Sequence, residues 1–296
     1  MTSPPYLIKG DKIGIVASAR KISREELKPA MDILTSWGLE VVLGKNLFNE
    51  DHQFSGTDNE RAEDLQTMLD DTSIKGIIFA RGGYGTVRII DLLRFDTFKK
   101  HPKWIIGYSD ITVLHSHIHQ LGIETIHGTM PINFLKNQEA TETLRKTLFN
   151  EPFDYTFDSH PFNRKGTAQG ELIGGNLSLL VALSGSSSEM DTKGKILFIE
   201  DLDEYLYHVD RMIMNLKRAG KLSELAGLIV GGMTEMKDNT IPFGKSAEEI
   251  IMDAVKDYQF PVCFNFPAGH CDRNLSLILG REVKMKVDTK VEVVYK

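Results

Sequence analysis

The chain has 296 residues, of which 41% are hydrophobic and 26% charged, a composition typical of a globular protein. Its formal net charge is −6, and its basic residues are scattered, so the charge pattern does not favour a nucleic-acid partner. The first apolar run, 13–17, follows no basic leader and is too short for a signal segment or a membrane span. We therefore expect a cytoplasmic protein without a membrane partner.

Two cysteines, Cys263 and Cys271, are too few for a disulfide framework or a zinc site. Cys263 lies in an apolar run that is typical of a buried strand, which predicts a packing role. The length of the chain is compatible with two domains.

The first half of the chain alternates strand and helix patterns. Ser23 with Glu26, and Thr57 with Glu60, have the spacing of capping boxes before apolar helical stripes. Pro29 indicates a later start or a kink in the first of these helices. Strands are predicted at 12–17, 39–43, 76–80, 104–107 and 124–127. Strands that alternate with helices predict an α/β fold with βαβ units and a mostly parallel, doubly wound sheet.

Residues 150–165 have no helical period and are rich in aromatic and polar side chains, which is typical of a linker. The second half has its own strand and helix patterns, and its last three strands, at 275–279, 282–287 and 291–295, are short and separated by turns. These three predict an antiparallel end to a second domain. We therefore expect domains at 1–149 and 169–296, joined by a linker at 150–168.

A strand, a tight turn and a helical pattern follow one another around Ser109. The apolar strand 104–107 ends in Gly107, Tyr108, Ser109 and Asp110, and the helical pattern begins at once. Such a turn can lift a nucleophile out of a sheet and direct helix N-terminal amides at it. Ser109 is a candidate nucleophile if a histidine and a carboxylate activate it. The alternative is a capped helix, with Ser109 or Asp110 as the cap.

The segment Arg81-Gly-Gly-Tyr-Gly85 directly follows the strand at 76–80. Its glycines allow backbone amides to approach a ligand closely. Its spacing matches neither a P-loop nor a dinucleotide-binding glycine motif. An oxyanion or carboxylate site that includes Arg81 is the favoured functional interpretation, and a simple strand-to-helix turn is the structural alternative.

Acids and histidines also follow predicted strands in the second half. Four carboxylates follow the strand at 195–199, and they could supply the acid of a triad, a cation site or only a solvated loop. Metal binding is disfavoured because no acidic partner loop has calcium-site spacing. His270 lies after the strand at 261–266, where a loop-borne base or a solvated histidine is expected. The four carboxylates are Glu200, Asp201, Asp203 and Glu204.

The remaining histidines are weaker candidates. His115 and His119 share a face of the helix after Ser109, but they lack the glutamate of a metalloprotease motif, so a solvated or half-buried face is expected. His127 ends a strand of the first sheet and could line the same site as Ser109.

Ser109, Glu200 and His270 follow the order nucleophile, acid, histidine found in α/β-hydrolases, although geometry rather than order defines a triad.

Taken together, the motifs resemble the LD-carboxypeptidase family of serine peptidases, which also contains the microcin C self-immunity peptidases. The resemblance covers nearly the whole chain in order. The motifs that carry it are Gly10-Asp11, 56–61, Arg81-Gly-Gly-Tyr-Gly85, Gly107-Tyr-Ser-Asp110, His127-Gly128, Gly174-Gly-Asn-Leu-Ser178, Phe198-Ile-Glu-Asp201 and Pro267-Ala-Gly-His270.

The resemblance implies that Ser109, Glu200 and His270 are the catalytic serine, glutamate and histidine. It implies a Rossmann-like N-terminal domain, a smaller β-rich C-terminal domain and an active site between them. It also implies a cytoplasmic homodimer that needs no metal or cofactor and releases the terminal D-alanine from murein tetrapeptides during peptidoglycan recycling.

Substrate contacts are less defined by the motifs. The amides of Asp110 and Gly83 are predicted oxyanion donors, Arg81 is a predicted carboxylate ligand, and Tyr84 is a further predicted substrate-binding residue. The sequence departs from the family pattern at Ser184-Gly-Ser-Ser-Ser188 and at Thr129, two positions that the resemblance places near the substrate.

Three other functions remain open. A microcin-immunity-type peptidase would cleave an aminoacyl or peptidyl nucleotide, but such family members tend to carry a loop for which 178–193 leaves little room. A murein-peptide-binding module without catalysis would not need all three triad residue types. A metal-dependent hydrolase would use the carboxylates at 200–204.

Overall fold

The computed structural model describes residues 1–152 and 155–296. By its contacts the chain divides into two units, of which the first contains Met1–Pro152 and Leu275–Ile278. The second contains the described residues of 155–274 and Leu279–Lys296. Phe153 and Asp154, which belong to the predicted linker, lie outside the described residues, and the domain limits at 149 and 169 stay predictions.

The first unit is built on a six-stranded sheet whose order is β2-β1-β3-β4-β5-β11. The register from β2 through β5 is parallel at every pair, which confirms the doubly wound α/β prediction. Its strands are β1 (Lys12–Val16), β2 (Glu40–Leu43), β3 (Ile74–Phe79), β4 (Trp104–Gly107), β5 (Thr125–His127) and β11 (Leu277–Leu279).

The helices of this unit follow the predicted caps. Both predicted capping boxes are formed, at Ser23 and at Thr57. The first helix begins at Arg24, so the alternative of a later start is wrong; Pro29 lies inside this helix, where it lacks the N–H for an intrahelical hydrogen bond. The helices are α1 (Arg24–Ser36), α2 (Asp58–Asp70), α3 (Thr86–Ile89), α4 (Asp96–Lys100), α5 (Thr112–Gln120) and α6 (Gln138–Leu148).

The strand order reverses at β1. From β1 the chain passes outward to β2 and then returns to β3 on the other side, from which it continues through β4 and β5. Ligands of open parallel sheets bind beyond the carboxyl ends of the strands at such a reversal. In this sheet those ends are the segment after β1 and the loop 81–85 after β3.

A short segment from the far end of the sequence completes the first sheet. β11 lies beside β5, and Leu277 and Ile278 are buried there. The expectation that 275–279 joins the antiparallel end of the second domain is therefore wrong for this strand. A three-residue apolar strand carries no information about which sheet edge it will pair with.

The second unit contains a seven-stranded mixed sheet in the order β10-β9-β8-β7-β12-β13-β6. Strands β10 through β7 are parallel, and β7, β12, β13 and β6 pair antiparallel. Part of the predicted linker forms β6 and the start of β7. The strands are β6 (Tyr155–Asp158), β7 (Gly166–Asn176), β8 (Ile196–Leu202), β9 (Gly227–Thr234), β10 (Val262–Cys263), β12 (Glu282–Val287) and β13 (Lys290–Tyr295).

The parallel strands of the second unit are connected by helices α7 (Leu177–Ala182), α8 (Leu206–Arg218) and α9 (Ala247–Val255). They pack on the sheet through an apolar cluster that includes Leu197, Ile199, Val209 and Ile251. Cys263 is buried at the edge of this sheet, as expected for a packing role. Among the helices that the structure describes, none is both long and apolar enough to cross a bilayer.

Candidate active site

Ser109 lies two residues after the end of β4, in a single 3₁₀ turn that precedes α5. Its φ of 62° is in the left-handed region, a conformation that costs a non-glycine residue about 1–3 kcal/mol and is often found at functional turns. Gly107 allows the turn to fold back closely, because a Cβ there would lie 2.7 Å from Ile111 Cγ1. The backbone therefore has the sharp strand-to-helix form that exposes a nucleophile.

The Asp110 carboxylate does not cap the helix that follows it. No side-chain cap is formed at the 3₁₀ turn or at α5. Instead, Asp110 Oδ2 accepts hydrogen bonds from the Thr86 backbone N–H at 2.8 Å and from Thr86 Oγ1 at 2.6 Å. Burial raises the pKa of this carboxyl. The cap prediction is thus wrong, and the carboxylate joins the Ser109 turn to the first residue of α3.

The loop 81–85 lies beside the Ser109 turn. A Cβ at Gly82 would lie 3.4 Å from Ser109 Oγ, and Gly83 has a φ of 129°. A side chain at Gly82 would crowd the Ser109 side chain, and one at Gly83 would crowd the stem of Arg20. The loop that was predicted to supply oxyanion donors is therefore adjacent to the candidate nucleophile, and Gly83 is exposed.

Arg61 is a buried cation beneath this loop, and the sequence analysis did not single it out. Its side chain is 1% exposed, and Nη1 donates to the carbonyls of Ser18 and, at 3.2 Å, of Gly85. Nη2 contacts Asp58. Arg61 lies four residues before Leu65 and therefore on the same apolar face of α2. This position in the sequence indicates that the Arg61 side chain is buried.

The other predicted substrate-binding side chains are those of Arg81, which is bonded to other residues, and Tyr84, which is exposed. Arg81 Nη1 donates to the Lys21 carbonyl at 3.2 Å and lies 3.9 Å from Glu26 Oε1, so it holds the segment that follows β1. Tyr84 is 49% exposed, and its ring centroid lies 6.4 Å from that of Phe54.

In the second unit, Glu200 and His270 form a buried hydrogen-bonded pair. Glu200 is near the carboxyl end of β8 and is 0% exposed. Its Oε2 lies 2.7 Å from His270 Nδ1 and also accepts the His270 backbone N–H at 3.0 Å. Because Nδ1 donates to the carboxylate, Nε2 is the basic nitrogen of the neutral ring.

The surrounding backbone fixes the orientation of this pair. Gly269 has a φ of 96°, and a Cβ there would lie 2.5 Å from Glu200 Cγ, so only glycine fits. The Gly269 N–H donates to Asn274 Oδ1 at 2.9 Å, and Thr234 Oγ1 donates to the His270 carbonyl at 2.6 Å. The Asn274 and Thr234 contacts carry no motif and were not predicted.

Opposed effects act on the pKa of His270. Burial lowers it, whereas the charge and the hydrogen bond of Glu200 and the charge of Asp201 raise it, and the net result is a raised pKa. Asp201 is itself buried, and burial together with the neighbouring Glu200 charge raises its pKa to about 6. The imidazolium form of His270 is therefore stabilised, as a general base requires.

The four carboxylates at 200–204 serve different partners. Asp201 accepts from Asn176 Nδ2 and from the Ser178 N–H, both at 2.9 Å, which ties β8 to the start of α7. Asp203 pairs with Lys237 at 2.5 Å, and Glu204 lies 2.5 Å from His208 Nδ1. Among the described residues, no group of three or more histidine, cysteine, aspartate or glutamate side chains is placed to hold a metal ion.

Two histidines of the first unit, His115 and His127, are part of the core. His115 is 1% exposed, its Nε2 donates to the Gly107 carbonyl at 2.9 Å, and its Nδ1 lies 2.8 Å from Thr125 Oγ1. Burial lowers its pKa to about 4. The predicted solvated or half-buried face is therefore wrong for His115, which supports the Ser109 turn from below. His127 is also buried, with its ring centroid 5.9 Å from that of Tyr108.

The structure thus brings Ser109 together with Gly82, Gly83 and the Asp110–Thr86 contact in the first unit. It brings Glu200 together with His270 in the second.

Comparisons with known proteins agree with the two-unit organisation. Residues 13–128 match the model of the LD-carboxypeptidase N-terminal domain, and residues 169–285 match that of the C-terminal domain. The chain is 39% identical over 302 residues to the probable murein peptide carboxypeptidase of Bacillus subtilis (strain 168), with 98% of this chain and 93% of that protein covered.

Solved structures share the fold. A muramoyltetrapeptide carboxypeptidase from Oxalobacter formigenes has a TM-score of 0.88 and 25% identity, with 96% of this chain and 98% of that one covered. The protein MccF in complex with glutamyl sulfamoyl guanosine also has a TM-score of 0.88, at 24% identity, with 99% of this chain and 98% of that one covered. On these matches, the chain is a peptidase that belongs to the LD-carboxypeptidase family.

Proposed function

We propose that this enzyme is a serine-type LD-carboxypeptidase that releases the terminal D-alanine of murein tetrapeptides. The observation that carries the proposal is the buried Glu200–His270 pair, in which Oε2 and Nδ1 are 2.7 Å apart. The same chain has Ser109 after a parallel strand, with its backbone in the left-handed region. Nucleophilic acyl transfer requires a histidine that a carboxylate orients and a serine that the histidine can activate, such as one on a strained turn.

In the proposed mechanism, Ser109 Oγ attacks the scissile carbonyl carbon while His270 Nε2 takes the hydroxyl proton. Glu200 holds Nδ1–H and stabilises the imidazolium that forms. The backbone amides of Asp110 and Gly83 donate to the oxyanion, each worth about 3–4 kcal/mol in the transition state.

The tetrahedral intermediate then collapses to an acyl-enzyme. His270 gives its proton to the amine of the leaving D-alanine, whose bond to the acyl carbon breaks, and Ser109 keeps the acyl group as an ester. Water, deprotonated by His270, attacks this ester; its C–O bond breaks, the tripeptide leaves as the acid, and His270 returns the proton to Ser109 Oγ. Each step uses side chains of this chain and water.

The names of related proteins support the murein substrate. The Bacillus subtilis relative, at 39% identity over nearly the whole chain, is named a probable murein peptide carboxypeptidase. The second candidate function is that of a microcin-immunity-type peptidase, whose substrate is a peptide linked to a nucleotide. We include it in the test because this chain shares its fold with MccF. A cytoplasmic homodimer is the state that the family resemblance suggests.

The experiment compares D-alanine release from murein tetrapeptide by the wild-type enzyme, by Ser109→Ala and by Ser36→Ala, a control on an exposed face of α1. We expect the wild type and the control to be equally active with and without a chelator, and Ser109→Ala to be inactive. Full activity of Ser109→Ala together with loss of wild-type activity in chelator would overturn the serine mechanism. Faster cleavage of an aminoacyl sulfamoyl nucleoside than of tetrapeptide would favour the second function.

A further inference from the structure

A carboxypeptidase must recognise a free carboxylate close to its nucleophile. The terminal carboxylate lies one residue beyond the scissile carbonyl, and successive residues are about 3.8 Å apart. An arginine is suited to this task because its planar guanidinium donates two parallel hydrogen bonds to a carboxylate. The cation that binds the carboxylate should therefore lie beside the Ser109 turn and have no acidic partner of its own.

Most cations near the turn already bind other groups. Arg61 is buried and bonded to two carbonyls and to Asp58. Arg88 donates to the same Asp58 carboxylate from both Nε and Nη2, with Nη2 2.6 Å from Oδ2. Lys21 pairs with Glu50. Arg81 holds the Lys21 carbonyl and lies near Glu26, so its guanidinium is committed to the segment after β1.

Arg20 differs from all of these. It is exposed, and among the residues that the structure describes no side-chain hydrogen bond or ion pair engages its guanidinium. Its aliphatic stem lies on the loop 81–85, since a Cβ at Gly83 would be 2.4 Å from Arg20 Cγ and 2.6 Å from Cδ. The neighbouring Gly82 is the residue that packs against Ser109 Oγ, at 3.4 Å from its Cβ position.

The place of Arg20 in the sheet supports the same role. Arg20 follows β1 and Gly83 follows β3, and the strand order reverses between these two strands. Ligands bind at the carboxyl ends of strands at this point of a doubly wound sheet. Gly83, at its φ of 129°, leaves room for the arginine stem that a larger residue would displace.

We propose that Arg20 is the specificity-determining residue that binds the free terminal carboxylate of the substrate. This inference rests on the proposed carboxypeptidase function and names a residue that none of the motifs identifies. The enzyme would then select peptides that end in a free acid and discriminate against those that continue or are amidated.

The test measures kcat/KM for release of D-alanine from murein tetrapeptide and of D-alaninamide from its C-terminal amide. We expect the wild type to prefer the acid. Arg20→Gln should lower kcat/KM for the acid by about 10- to 150-fold, the value of a hydrogen bond to a charged group, and leave the amide nearly unaffected. Arg20→Lys, which keeps the charge but loses the planar fork, should fall between the two.

Arg24→Gln is the matched control. It removes the same charge four residues away, where the guanidinium lies 4.2 Å above the Phe48 ring, and it should keep the wild-type preference. An unchanged preference for the acid in Arg20→Gln, or an equal loss on acid and amide, would overturn this inference while leaving the proposed function intact. A wild-type enzyme that hydrolyses neither peptide would contradict the proposed function itself, and this inference with it.

Discussion

At the scale of single residues, the basicity of His270 depends on Glu200. Burial lowers the His270 pKa, but the Glu200 charge and hydrogen bond, together with the Asp201 charge, raise it, and the net pKa is raised. In the proposed mechanism His270 acts as a base, which it can do only when neutral, so kcat/KM should rise as pH increases through this pKa. Glu200→Gln should move that acidic limb to lower pH and lower kcat by about 100-fold or more.

Glu204→Gln provides the control for this pH profile, because Glu204 also contacts a histidine, His208, at 2.5 Å. It should leave the profile of kcat/KM unchanged. An acidic limb that stays in place in Glu200→Gln would show that Glu200 does not set the basicity of the catalytic group.

Gly269 gives a second prediction at this scale. Gly269→Ala adds a Cβ 2.5 Å from Glu200 Cγ at a positive φ, whereas Gly220→Ala adds one at a φ of 74° with nothing within 4 Å. The left-handed conformation alone should cost about 1–2 kcal/mol in Gly220→Ala. Gly269→Ala should cost about 1–3 kcal/mol more because of overpacking and should also lower kcat. Urea unfolding measures both, and equal costs would argue against a tight fit around Glu200.

At the scale of elements, the contact between Asp110 and Thr86 joins α3 to the Ser109 turn. Thr86→Val removes one of the two hydrogen bonds to Asp110 Oδ2 and should cost about 1–3 kcal/mol of stability, because the carboxylate is buried. It should also lower kcat, since the loop 81–85 precedes α3. Thr86→Ser keeps both donors and should restore stability and kcat. A valine variant with wild-type kcat would show that this contact does not position the turn.

The same elements explain what the sequence could predict. Capping boxes at Ser23 and Thr57 are local signals, and both caps are confirmed, although Pro29 wrongly indicated a later start for the first helix. The Asp110 cap was wrong because its carboxylate accepts from a helix 24 positions away in the chain, and no local pattern reports such a partner. The predicted linker overlaps the start of β7, whose first residues include a glycine and a threonine and carry no strand pattern; antiparallel pairing with β12 holds them in the sheet.

At the scale of the whole molecule, the path of the chain limits how the first unit can fold alone. β11 pairs beside β5, so a fragment 1–152 would leave the edge of β5 open. We expect this fragment to be less stable than the intact chain and prone to association through that edge. A peptide of residues 274–280 should stabilise it in urea unfolding. A monomeric fragment that unfolds cooperatively without the peptide would contradict this role of β11.

Much of the candidate site was predictable from the whole chain, because the order of the motifs identified the family and hence Ser109, Glu200 and His270 as its candidates. The contacts of the side chains around them were not predictable, although the position of Arg61 on the apolar stripe of α2 indicated its burial. Arg20 and Arg61 are each defined by a contact with the loop 81–85, and such contacts exist only once β1, α2 and β3 are folded together.

The central claim is that Ser109 is a nucleophile activated by His270. It is tested most directly by peptide mass spectrometry after reaction with a fluorophosphonate, which labels activated serines. The account predicts a single adduct on Ser109 in the wild type and at least a 100-fold slower reaction in His270→Ala, in line with the usual contribution of a general base of about 10²–10⁴. An unlabelled Ser109, or labelling at the same rate in His270→Ala, would contradict it.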